Sequence, residues 1–147
     1  MKNGSVMGVG LVAATMVISA VLPSIASADD PGPLVMGTWR LTAVLDSADL
    51  ASMDEKQARR LLGKTFVINR EGFRFGKEKC GVPTFESSWV EPNLYLRKEA
   101  WISAENLDLP NPVEVFDLSC TIVLVKSKDR LVLHWDGFFF DAVRQRK

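Results

Sequence analysis

The chain lacks the residues most chemistry would need. Its only histidine is His134 and it has two cysteines, and no residue context marks a nucleophile to go with that histidine. There is no glycine-rich phosphate loop, paired-histidine metal motif or dinucleotide fingerprint. Two distant cysteines and one histidine supply too few ligands for a zinc centre, and without a Cys-x-x-Cys pair a redox role has no support. Charge of one sign is also missing. Lys and Arg number 18 against 18 for Asp and Glu, which gives no electrostatic reason to expect nucleic acid or an acidic membrane surface as a partner. Neither a cofactor nor a metal is therefore expected. An enzyme, meaning a small hydrolase or isomerase, stands only as an alternative to a non-catalytic protein.

What the chain does carry begins at its N-terminus. Lys2 precedes an apolar run from Val6 to Leu22, followed by Pro23 and the small triplet Ala26-Ser27-Ala28. This is the layout of a secretory signal peptide over residues 1–28, cut after Ala28. The run is at the short end of what crosses a hydrocarbon core, and no cysteine follows it to take a lipid. A soluble monomer in the periplasm or medium is expected, touching membrane only through the signal. Residues 29–147 are enough for one domain and too few for two. Export places Cys80 and Cys120 in an oxidising compartment, where the single possible connectivity is a Cys80–Cys120 disulfide.

Periodicity describes a mainly β domain. Asp29 to Leu34 contains two prolines and reads as an extended arm. From Val35 to Asp46 apolar and polar residues alternate as in a half-buried strand, with Gly37, Trp39, Leu41 and Leu45 on one face. Ser52-Met53-Asp54-Glu55 has the form of a capping box for a short helix over Met53 to Leu62. Strands are expected at Lys64 to Asn69, Gly72 to Phe75, Val113 to Ser119, Thr121 to Lys126, Arg130 to Trp135 and Phe138 to Arg144. Asp136-Gly137 is a hairpin turn. Between the cysteines prolines interrupt the pattern, and one or two irregular strands are expected around Asn93 to Ile102. His134 alternates with Leu133 and Trp135, which points it toward solvent.

One long-range pair suggests an architecture. Gly37-Thr38-Trp39 opens the first strand, and Arg144 closes the last one on a face of core-type residues, where a bare charge is costly. On these residues the chain resembles the small lipocalin-like, or calycin, barrels. The resemblance implies that the Arg144 guanidinium lies across Trp39 and bonds backbone carbonyls at the closed end. It implies a compact antiparallel barrel, here with one short helix after the first strand instead of a main helix after the barrel. Bacterial inhibitors of secreted metalloproteases are similar in their export, Gly-x-Trp strand, single disulfide and N-terminal arm, although their cysteines lie closer together. A periplasmic lysozyme inhibitor fits size and compartment equally well.

The functional expectation is non-catalytic binding of a small apolar ligand at the barrel mouth or of an exported protein. Trp89, Tyr95 and Trp101 are the candidate contacts, because large amphipathic rings dominate interface energetics.

Overall fold

The computed structural model describes residues 4, 10, 32–81 and 85–146. The expected cut after Ala28, and residues 29–31 of the arm, lie outside them. Nine strands form one antiparallel sheet: β1 (Gly37–Ser47), β2 (Thr65–Asn69), β3 (Gly72–Phe75), β4 (Glu78–Lys79), β5 (Ser87–Val90), β6 (Val113–Asp117), β7 (Ile122–Ser127), β8 (Arg130–Trp135) and β9 (Phe138–Arg144). Their order is β4-β3-β2-β1-β9-β8-β7-β6-β5, so the first and last strands meet at the centre and the sheet curls into a half-barrel. Among the described residues each of β4 and β5 has one neighbour. The ladder therefore stops short of the closed ring expected of a barrel.

Irregularities in β1 explain part of the curl. Its pairing with β9 shifts between Leu41 and Ala43 and again between Val44 and Asp46. A bulge bends the strand and, because the side-chain period is two, one extra residue transfers everything beyond it to the opposite face. Trp39 and Leu41 accordingly belong to one core, but Leu45 packs against the other, not on the Trp39 face as strict alternation predicts. The two cores lie on the two faces of the sheet. The concave one holds Trp39, Phe66, Phe73, Phe116, Leu131, Leu133, Phe138 and Phe140. On the convex face Val113, Val115, Leu124, Val132 and Phe139 meet Leu96 and Ala100.

Leu96 and Ala100 come from a helix where strands were expected, α3 (Pro92–Ala100), following the short α1 (Gly32–Val35) and α2 (Glu55–Arg59). Pro92 sits in the first turn of α3, where its missing N–H is no loss, and the Glu91 carboxylate accepts from the Asn93 and Leu94 amides at 3.2 and 2.6 Å. Pro92, Leu96 and Ala100 are buried at helical spacing. In α2 the capping box is also displaced from its expected place. Asp54 accepts from the Gln57 amide at 2.7 Å and the Gln57 side chain accepts from the Asp54 amide at 2.8 Å, two residues beyond the Ser52 reading. The arm is likewise not extended where it is described, since Gly32–Val35 forms a single helical turn. Buried Val35 and half-buried Leu34 anchor it to the concave core.

Candidate functional site

The end of the half-barrel at the start of β1 is closed by Arg144. Its guanidinium carbon lies 4.2 Å from the Trp39 ring centroid. It donates from Nη1 to the Met36 carbonyl at 2.6 Å, from Nη2 to the Leu34 carbonyl at 2.6 Å and from Nε to the Lys128 carbonyl at 2.9 Å. Trp39 Nε1 donates to the Val35 carbonyl at 2.9 Å. Gly37 has φ +142°, and a Cβ there would stand 2.8 Å from Arg144 Nη1. The glycine thus lets the charged fork reach the backbone of the arm. These contacts, with the Asp129 carboxylate 3.5 Å from Nε, satisfy a mostly buried charge.

The opposite end carries grooves on either side of the β8–β9 turn. Asp136 and Gly137 both have positive φ, as a two-residue hairpin requires. Segment Ala48–Ser52 is tied to this turn by the Ala48 amide donating to the Gly137 carbonyl at 2.7 Å and the Ser52 amide donating to the Asp136 carbonyl at 3.0 Å. On the concave side Leu61, Phe75, Trp135 and Glu78 line a groove of ≈ 500 Å³. On the convex side Asp49, Leu50, Glu99, Trp101 and His134 line one of ≈ 460 Å³. Leu50 is 93% and Trp101 81% exposed, which makes this second groove unusually apolar at its rim.

Trp101 is held there under strain. It terminates α3 with φ 59° and ψ 28°, its amide donating to the Leu96 carbonyl. The left-handed region is ordinarily left to glycine or asparagine at a helix end, and a bulky residue in it is an outlier of the kind that clusters at working surfaces.

The floor of the groove corrects the sequence reading of His134. Alternation in β8 does turn it away from Leu133, but its new face is the covered convex one. The ring stacks on Phe139 at 4.4 Å with an interplanar angle of 10°, and Nε2 is buried with no hydrogen-bond partner among the described residues. Burial lowers its pKa from the ordinary 6.5. The neutral imidazole is therefore the favoured form at pH 7.

The three candidate aromatics do not converge. Trp89 stands exposed on edge strand β5, just before α3, and Trp101 stands at the far end of that helix. Nine residues at about 1.5 Å each separate the helix ends by roughly 13 Å. Tyr95 packs into the convex core, with its hydroxyl pKa raised by burial and by the charges of Glu99 and Asp117. Sequence reasoning missed Leu50 and the groove role of His134, because both depend on the convex face being covered by α3.

Cys80 and Cys120 are bonded, with Cα atoms 5.7 Å apart. The bond ties the β4 edge to the β6–β7 turn. A second polar cluster sits on the convex face, where buried Asp141 accepts from Lys126 at 3.2 Å and from Arg130. Among the described residues no three His, Cys, Asp or Glu side chains form a group able to hold a metal ion, and no helix is long and apolar enough to cross a membrane. Comparison with protein-family models, with curated proteins and with solved structures finds no match to this chain.

Proposed function

We propose that this chain is an exported, non-catalytic binding protein of lipocalin-like architecture that engages another exported protein through the convex groove under Trp101. The observation that carries the reading is the pairing of a strained, exposed Trp101 with exposed Leu50 over a groove floored by the half-buried His134 ring. Such a surface offers an apolar rim with the Asp49 and Glu99 carboxylates beside it, the anatomy of a contact centre. The lipocalin-like part of the proposal draws support from the curled antiparallel sheet and from Arg144 over Trp39. A protein partner is preferred to a small apolar ligand because Phe66, Phe73, Phe138 and Phe140 occupy the concave interior. A free arm entering a protease cleft is harder to reconcile with Leu34 and Val35 packed into the core.

One observation favours an acid–base enzyme as a second reading: Asp49, Glu99 and His134 line the same groove. Against it, among the described residues no ion pair joins the His134 ring to Asp49 or Glu99, as a paired catalytic group would need.

The test places a photo-crosslinking side chain at position 101, and at exposed Lys56 on α2 as a control, in the chain expressed with its own residues 1–28. A single exported protein captured from position 101 alone supports the reading, provided Trp101→Ala weakens the purified pair by about tenfold or more. Capture equal to the control, or undiminished affinity, overturns it. The mature product is expected to begin at Asp29, which N-terminal sequencing checks.

A further inference from the structure

The two edges of the sheet are built differently. β4 is two residues long, both charged, and ends at the disulfide, which are familiar means of blunting an edge. β5 reads Ser-Ser-Trp-Val with no charge, proline or bulge, and its first three residues are exposed. Among the described residues it pairs with β6 alone, through Ser87↔Phe116, Ser88↔Val115, Trp89↔Glu114 and Val90↔Val113. Among the described residues no hydrogen bond reaches the outer side of this strand. Its backbone groups there form a template for one more strand.

The charge around this edge decides what fits it. Glu114 lies directly beside Trp89 on the same face, and Glu86 and Glu91 flank the strand. None of the three takes part in an ion pair among the described residues, although the Glu91 carboxylate caps α3. A second copy added antiparallel about the centre of β5 would set Glu86 opposite Glu91 at both ends, and like charges directly opposite are destabilising. A cationic segment meets the opposite situation. A Lys or Arg opposite Trp89 would share its face, with its charge over the indole and toward Glu114.

We propose that β5 is a strand-addition site for an extended, basic segment of a protein partner, read by backbone pairing along Ser87–Val90 and by Trp89 with Glu114. Trp89 and Trp101 stand at opposite ends of α3, so this edge can fail or succeed independently of the groove under Trp101.

The test titrates the purified chain with a capped hexapeptide alternating arginine and valine. Its controls are a glutamate–valine counterpart and an arginine–valine peptide methylated on alternate amide nitrogens. The arginine peptide should bind about tenfold or more tighter than the glutamate one, slow amide exchange within Ser87–Val90, and lose binding on N-methylation. Trp89→Ala, at an exposed position, should weaken it by about fivefold and Glu114→Gln by about threefold. Equal binding of the glutamate or methylated peptide, unchanged exchange in β5, or indifference to Trp89→Ala overturns the proposal. Self-association that protects β5 without peptide overturns it in favour of a second copy.

Discussion

Gly37, Trp39 and Arg144 are far apart in sequence and act as one unit at the residue scale. Arg144→Ala removes the guanidinium from the Trp39 face and from three carbonyls, and should cost about 3 kcal/mol in urea unfolding, well above the roughly 0.5 kcal/mol of a plain surface site. Gly37→Ala should cost about 1–3 kcal/mol, because it imposes a side chain at positive φ and drives Cβ into Arg144. Once Arg144 is alanine the clash is gone, so the double variant should lose less than the sum of the two. Strict additivity would show that Gly37 acts through φ alone. His134 predicts a pH dependence. Its folded pKa is lowered by burial, so below about 6.5 the unfolded chain takes up a proton that the folded one resists, and stability falls with pH until the folded pKa is passed. Above that window the contribution is complete. His134→Gln should flatten the decline of the urea midpoint between about pH 7 and pH 5, and an unchanged decline would assign it to carboxylates instead.

At the scale of elements, what was legible in the chain depended on whether a local pattern had one interpretation. β3, β8 and β9 have their expected limits at Gly72–Phe75, Arg130–Trp135 and Phe138–Arg144, because period-two apolar residues between turn signals fit nothing but strands. The α3 segment carried a competing signal. Its prolines and aromatics read as irregular strand, while Glu91-Pro92 at the start and Pro92, Leu96 and Ala100 four residues apart are the marks of a capped helix with one buried face. That misreading hid the site as well, since the groove at Trp101 and the cover over His134 exist only with α3 in place. The α2 cap shows the same ambiguity on a smaller scale, because Ser52 and Asp54 can each head a helix. The observed geometry separates them. Asp54→Ala should cost about 1 kcal/mol in thermal or urea unfolding and Ser52→Ala close to nothing, whereas the reverse order would restore the Ser52 cap.

The whole molecule has to hold a long sheet in a curl without a closed ladder among the described residues. Two apolar layers on opposite faces stabilise the middle of the sheet, around β1, β8 and β9. The ends have less support, since β4 makes a two-residue pairing and β5, among the described residues, pairs with β6 alone. The Cys80–Cys120 bond spans this weak region, joining the chain just after β4 to the β6–β7 turn across 40 residues of sequence. Closing a loop of that size stabilises a fold by roughly 3–4 kcal/mol in the chain-entropy model. The Cys80→Ser, Cys120→Ser double variant should therefore lower the urea midpoint by that equivalent, and reduction of the native chain should lower it equally. Phe73, Phe75 and Phe116 already share the concave core from both sides of the gap, so core packing is the rival means of holding the curl. A loss under about 1 kcal/mol would assign the curl to those rings. The full loss, with the strand signal retained in the folded variant, would make the disulfide the connection that substitutes for the missing β4–β5 ladder, and an oxidising compartment a requirement of the fold.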